Sequence, residues 1–222
     1  MGQMLKLTAA DGFTFDAYRA DPSGTPNGAI VVVQEIFGVN SHIRDVADGY
    51  AAAGYVAIAP GIFDRAEPGI ELDYNQAGID AGLKARAAIP IEGTLADLQA
   101  AVDAVGSAGK VGIVGYCWGG SLAFLAAAKV TGLSAAVGYY GGQIVQFLDS
   151  APKIPTLLHF GKQDQGIPLT DVDKIRARYP EIPVHLYDAG HGFNCDQRAS
   201  YDKASAELAL QRTLDFFGRH HG

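Results

Sequence analysis

Six residues, Gly115-Tyr116-Cys117-Trp118-Gly119-Gly120, restrict the fold of this chain more than any other stretch. They follow the apolar run Val111-Gly112-Ile113-Val114 and precede a helix-like segment over 121–129. A strand that turns sharply into a helix, with glycines on both sides of a nucleophile, has the pattern of a nucleophile elbow, here with cysteine in place of the commoner serine. The turn forces the nucleophile into a strained backbone, and side chains at the glycine positions would clash with neighbouring elements. The helix aims its N-terminal N–H groups and positive dipole end at the sulfur, which favours a thiolate. Cysteine after a strand is otherwise an ordinary core residue, so a catalytic reading needs partners elsewhere in the chain.

The rest of the sequence alternates apolar runs with amphipathic segments. Residues 4–9 and 13–19 read as short strands joined at Asp11-Gly12, a hairpin signal. Residues 29–34 form a continuous apolar run with three valines, as a strand buried on both faces requires. Ile43, Val46, Ala47, Tyr50 and Ala51 recur at helical spacing, and Gly54 closes that helix. Further strands are expected at 55–59, 110–114, 135–140, 156–160 and 184–187. One helix carries Leu95, Leu98, Val102 and Val105 on one face, and others cover 171–179 and 204–217. This alternation predicts an α/β fold, a single domain over 1–222 whose mostly parallel sheet has helices on both faces. Residues 61–90 break the periodicity, with a weak helix at 73–88, and are expected to form a small cap over the carboxyl ends of the strands.

A chain of 222 residues that is 48% hydrophobic can bury a large core in one domain. The net charge of −7, with no cluster of lysine or arginine, argues against nucleic acid or an anionic membrane as partner. No apolar run reaches the roughly 18 residues of a membrane span, and Met1 to Lys6 lacks the basic-then-apolar pattern of a signal peptide. The two cysteines, Cys117 and Cys195, make no disulfide framework, and a nucleophilic thiol needs a reducing compartment. The expectation is therefore a cytoplasmic protein, a monomer or small homo-oligomer.

In open α/β sheets, function gathers at the carboxyl ends of strands. Asp164 follows the strand at 156–160, and His191 follows the strand at 184–187 within Ala189-Gly190-His191-Gly192-Phe193. Nucleophile, acid and histidine thus occur in the chain order of the α/β hydrolases. Histidine takes the thiol proton and later returns a proton to the leaving group, while the acid fixes the histidine tautomer. Asp188 is a competing acid, but it stands close to the histidine in sequence rather than across from it, so Asp164 is preferred. His159 lies inside a strand and reads as packed, and His220 and His221 read as a frayed terminus. The oxyanion hole should use the N–H of Trp118 and one from the loop Gln34-Glu35-Ile36-Phe37-Gly38. Glu35 ends an apolar strand, where a carboxylate is costly unless paired. It is either a structural ion pair or cap, or a carboxylate close to the thiol. Phe37, Trp118 and Phe193 suggest an apolar-walled pocket. Cys195 is assigned no role.

Gln34-Glu35-Ile36-Phe37-Gly38-Val39-Asn40, Gly54-Tyr55-Val56-Ala57, residues 112–120, Val137-Gly138-Tyr139-Tyr140-Gly141 and Gly190-His191-Gly192-Phe193 together resemble the dienelactone hydrolase (carboxymethylenebutenolidase) family of α/β hydrolases. The resemblance covers nearly the whole chain. It implies a Cys117-His191-Asp164 triad, oxyanion donors at Ile36 and Trp118, and a Glu35 that helps deprotonate a resting thiol when substrate binds. It implies an ester or lactone substrate, the type reaction being the opening of a dienelactone ring, with no metal or cofactor. Two arginines that hold the substrate carboxylate in the type enzymes do not transfer: the chain has Asp80 or a neighbour at one position and Asn194-Cys195-Asp196 at the other. Arg198, Arg86 and Lys84 are the candidate replacements. Competing readings are an esterase or lactonase for a neutral substrate, a glutamine amidotransferase, and a non-catalytic binding protein on the same scaffold. The amidotransferase pattern wants an acid just after the histidine, which His191-Gly192-Phe193-Asn194 lacks.

Overall fold

The computed structural model describes residues 2–221. Among them is an eight-stranded sheet in the order β1-β2-β4-β3-β5-β6-β7-β8. The strands are β1 Gln3–Thr8, β2 Thr14–Ala20, β3 Ala29–Val33, β4 Val56–Pro60, β5 Val111–Tyr116, β6 Leu133–Tyr139, β7 Thr156–Gly161 and β8 Val184–Tyr187. The first two form the antiparallel hairpin expected around Asp11-Gly12, and β2 joins β4 antiparallel; β3 to β8 are parallel to one another. Helices α1 Ser41–Ala52, α2 Gln76–Ala88, α3 Ile91–Val105, α4 Trp118–Lys129, α5 Leu169–Arg178 and α6 Lys203–His221 connect and flank the strands.

The period of two in a strand sorts the core into two layers. Ile30 and Val32 face one cluster, with Ile43, Ala47 and Tyr50 of α1 and Phe216 and Phe217 of α6. Ala29, Val31 and Val33 face the other, with Leu98, Ala101 and Val102 of α3 and Leu122 and Ala126 of α4. Strands buried on both sides explain why the central runs read as continuous apolar stretches rather than alternating ones.

Two expectations need correction. The elbow helix begins at Trp118, not near residue 121. Glycine is a poor helix former, but here Gly119 and Gly120 are required by close approach. A Cβ on Gly119 would stand 2.4 Å from the Val33 carbonyl oxygen, and one on Gly120 2.3 Å from that of Tyr139. The C-terminal histidines are not frayed either, because α6 runs through His221. The His221 ring lies 5.5 Å from Tyr55 and 5.3 Å from Phe217, in space left open by Gly28 and Gly112.

Residues 61–90 contain a short 3-10 turn, Ile62–Arg65, and α2. The segment seats directly on the loop after β3. Leu72 donates its N–H to the Phe37 carbonyl, Gly38 bridges to Glu71, and a Cβ on Gly82 would meet the Ile36 carbonyl oxygen at 1.9 Å.

Candidate active site

Cys117 occupies the turn between β5 and α4 with φ 55° and ψ −118°. This is a costly backbone for an L-residue and persists only where its surroundings fix it. Its N–H donates to the Tyr139 carbonyl at 3.0 Å, and its own carbonyl accepts from Gly120 at 3.0 Å. Gly115 permits the strand to meet the helix, since a Cβ there would lie 1.8 Å from the Gly119 carbonyl oxygen. The half-buried sulfur therefore stands at the N-terminal end of α4, where free N–H groups and the helix dipole favour negative charge.

Two loops bring its partners. Asp164 follows β7 in a tight turn, its side chain fully buried. One carboxylate oxygen accepts from the N–H groups of Gly166 and Ile167 at 2.8 and 3.1 Å. The other lies 2.7 Å from Nδ1 of His191, whose Nε2 lies 3.1 Å from Sγ of Cys117. Burial opposes a charge on this imidazole, but Cys117 and Asp164 outweigh it and push the His191 pKa up to about 10. Asp188, the nearer acid in sequence, is exposed and paired with Lys162 at 2.8 Å. His159 is packed as expected, between Tyr187 and Thr213.

Trp118 is the first residue of α4. Among the described residues, neither its N–H nor that of Ile36 donates to a backbone acceptor. The close approach of Gly119 to the Val33 and Gln34 carbonyls sets the loop carrying Ile36 against the start of α4. The Trp118 ring is not a pocket wall; it stacks on Phe63 at 5.5 Å inside the core.

Glu35 is completely buried. Its Oε1 accepts from Nη1 of Arg198 at 3.1 Å, while Oε2 has no protein partner. It makes no hydrogen bond to Cys117, so the resting carboxylate belongs to Arg198 rather than to the thiol. Burial works against the Arg198 charge, but Glu35 first and then Cys117 outweigh it and hold its pKa above the usual arginine value. The guanidinium lies 5.7 Å over the rings of both Phe37 and Tyr74. It fits there because residue 192 is glycine: with φ 76°, a Cβ would stand 2.5 Å from Nη1.

Of the replacements considered for the arginines, only Arg198 reaches the constellation. Lys84 lines a separate surface cleft beside Glu67 and Gly69, and Arg86 makes no ion pair among the described residues. Phe37 and Phe193, expected as pocket walls, are 2% and 0% exposed. Phe37 supports Arg198 from below, and Phe193 packs under Tyr140 at 5.3 Å. Tyr140, part of one of the marker segments, is given no role at the site by the sequence. It directly follows β6 with φ 38° and sets its ring 5.1 Å from that of His191. Its position at the carboxyl end of a parallel strand was the available signal. His42 and Tyr74, buried or half-buried behind Glu35, carried none.

A sequence model of the dienelactone hydrolase family matches residues 15–221. Carboxymethylenebutenolidase from Pseudomonas putida is 37% identical over 223 residues, covering 96% of this chain and 94% of its own length. A Klebsiella pneumoniae protein assigned as a dienelactone hydrolase has a crystal structure that superposes with a TM-score of 0.84 at 31% identity, covering 98% of this chain and 99% of that one. The dienelactone hydrolase from Anabaena variabilis has the same fold, with a TM-score of 0.73 at 17% identity over 99% of this chain and 98% of its own. With the α/β-hydrolase sheet and the elbow cysteine already in place, these matches make the chain a member of the dienelactone hydrolase family, an enzyme that hydrolyses carboxylic ester or lactone bonds.

Proposed function

We propose that this protein opens a lactone or cleaves a small ester through a Cys117-His191-Asp164 triad and a thioester intermediate, the preferred substrate carrying a carboxylate. The observation that carries this reading is the unbroken chain of contacts at the elbow, 3.1 Å from sulfur to imidazole and 2.7 Å from imidazole to carboxylate. His191 accepts the thiol proton at Nε2, and Asp164 stabilises the imidazolium through Nδ1–H. The thiolate adds to the substrate carbonyl, and the N–H groups of Ile36 and Trp118 hold the oxyanion. Collapse expels the ring or ester oxygen, which takes the proton from His191. Water then gives a proton to the same nitrogen and attacks the thioester, releasing the acid and restoring the thiol.

Arg198 is the residue that reads the substrate. A substrate carboxylate would compete with Glu35 for the guanidinium, and a released Glu35 would be free to assist thiol ionisation. One arginine instead of two also supports a second reading, an esterase for neutral substrates, in which Glu35 and Arg198 stay paired as structure. Steady-state turnover of cis- and trans-dienelactone, a neutral lactone and p-nitrophenyl acetate by the wild type, Cys117→Ala and Arg198→Lys tests both. Cys117-dependent turnover of a dienelactone that weakens in Arg198→Lys is the expected result. Turnover of neutral substrates alone would select the second reading, and turnover surviving in Cys117→Ala would remove the triad.

A further inference from the structure

Behind the Glu35–Arg198 pair lies a group of buried side chains that the hydrolytic chemistry does not use. A carboxylate oxygen of Glu35, a ring nitrogen of His42 and the thiol of Cys195 converge, each residue offering one ligand atom within 4.8 Å of the others. Glu35, His42 and Cys195 are 0%, 3% and 0% exposed. Neither Glu35 Oε2 nor His42 Nε2 has a protein hydrogen-bond partner, although buried polar atoms usually find one. The other atoms of the same groups are occupied. Glu35 Oε1 is held by Arg198. Nδ1 of His42 lies 3.3 Å from Oδ1 of the exposed Asp196, an arrangement that puts the ring proton on Nδ1 and leaves the buried Nε2, which has no hydrogen-bond partner, with a free lone pair. A carboxylate behind a histidine is the arrangement that orients metal-binding imidazoles.

We propose that Glu35, His42 and Cys195 form a binding site for a thiophilic divalent cation of the zinc type, and that filling it silences the hydrolase by withdrawing Glu35. Thiolate, imidazole and carboxylate together select zinc or cobalt over magnesium or calcium. Tetrahedral bonds of about 2.0–2.3 Å place ligand atoms roughly 3.6 Å apart, so the longest separation in the group has to shrink by about 1.2 Å at most. The S–H bond of Cys195 breaks as the S–metal bond forms, and the proton leaves to solvent. The two anionic ligands together with Asp196 on His42 then balance the dication and the Arg198 guanidinium, which matters in a buried site. Of the three ligands, His42 also lines a cleft of about 240 Å³ that carries the carboxylates of Asp45, Asp196 and Glu207, a field that draws cations toward this side of the site. The silencing half of the proposal rests on the role given to Glu35 above; the site itself does not.

Cys117→Ala removes the other thiol, so any sulfur–metal signal in that variant belongs to Cys195. Titration with Co²⁺ should produce a thiolate-to-cobalt charge-transfer band saturating at one equivalent. Zn²⁺, measured by competition with a chromophoric chelator, should bind with the same stoichiometry. Adding Asp196→Asn, an exposed change that should leave folding intact, should weaken binding about 10–100-fold by loosening His42. Adding Cys195→Ser should abolish the band. In the wild-type cysteine background, one equivalent of Zn²⁺ should suppress ester turnover, and Asp196→Asn should shift that inhibition by the same factor as binding. Absence of the band in Cys117→Ala, or indifference of affinity to Asp196→Asn, overturns the site. A filled site with turnover unchanged overturns the silencing and with it the role of Glu35, while the triad would stand or fall on Cys117→Ala alone.

Discussion

Two neighbouring regions of this molecule are built on opposite terms. The Cys117-His191-Asp164 chain is saturated: both oxygens of Asp164 and both nitrogens of His191 have a protein partner. Each residue follows a parallel strand, so the backbone fixes the side chains before substrate arrives. The group around Glu35 is at least as buried yet incomplete, with Glu35 Oε2, His42 Nε2 and the hydroxyls of Tyr74 and Tyr140 lacking protein partners. It is assembled from loops, the first turn of α1 and the segment 61–90. A saturated network resists change, whereas an incomplete one of low polarity is expensive until something completes it. The first region therefore suits unvarying chemistry, and the second suits response to a substrate or an ion.

The largest effects should come from breaking the saturated side. Cys117→Ala should lower kcat for any ester by at least about 10⁴-fold, in line with the loss of other acyl-transfer nucleophiles. Thermal unfolding should be little changed, since the one hydrogen bond lost, between Cys117 Sγ and His191 Nε2, is only part-buried. Asp164→Asn should cost about 10³–10⁴ in kcat, because the amide can present an N–H to His191 and select the wrong tautomer. Its KM should move far less. A kcat loss below tenfold for Asp164→Asn would mean that this acid does not orient the histidine.

The sequence carried the saturated region almost completely, and the reason is physical. A nucleophile elbow needs glycines at Gly115 and Gly119 for backbone clearance, and these leave a local signature. Asp164 and His191 follow strands whose apolar runs are easily read. Chain order did the rest. The incomplete region is assembled from positions 35, 42, 74, 140, 195 and 198, which meet only through tertiary packing. Glu35 was visible because a carboxylate at the end of an apolar run is anomalous. His42 sat unremarked in the first turn of α1. Tyr74 lay in an irregular stretch, and Arg198 was one of three candidate cations that the sequence alone could not rank, because only tertiary packing brings it to Glu35. The two buried phenylalanines, Phe37 and Phe193, show the converse error: an aromatic beside a motif is more often support than surface.

Intermediate effects should come from the seam between the regions. Arg198→Lys keeps a cation near Glu35 but loses the planar fork, and should raise KM for a carboxylate-bearing lactone about 10–100-fold while changing neutral-ester turnover less than about threefold. Arg198→Met strands a buried carboxylate and should destabilise the fold by about 3–5 kcal/mol in urea unfolding. Gly192→Ala should reproduce the KM defect without removing any charge, because its Cβ would occupy the space of the guanidinium. Equal losses on anionic and neutral substrates in Arg198→Lys would make the pair structural.

The imidazole of His191 offers a pH test of the saturated side. Its pKa is raised from the ordinary 6.5 to about 10 by Cys117 and Asp164 against the opposing effect of burial. A raised base binds its proton more tightly in the folded state, so its contribution to stability is complete below about pH 6.5 and is lost as pH climbs through about 10. In Cys117→Ala the sulfur's share disappears, and NMR titration of the His191 ring should show a clearly lower midpoint. An unmoved midpoint would mean that Asp164 alone sets the value.

The smallest effect gives the sharpest comparison, because it uses one chemical change in both kinds of surroundings. Tyr116 and Tyr50 share a buried hydroxyl contact of 3.1 Å, whereas the buried Tyr140 hydroxyl has no protein partner. Removing one half of a buried hydrogen bond leaves the other unsatisfied, so Tyr116→Phe should cost about 1–3 kcal/mol. Removing an already unsatisfied hydroxyl leaves nothing behind, so Tyr140→Phe should be neutral or stabilising by up to about 1 kcal/mol. Both can be read from urea midpoints at constant m-value. A loss in Tyr140→Phe as large as that in Tyr116→Phe would mean that the Tyr140 hydroxyl is satisfied in solution. The region around Glu35 would then be complete at rest, with no unmet demand for a substrate or an ion to answer.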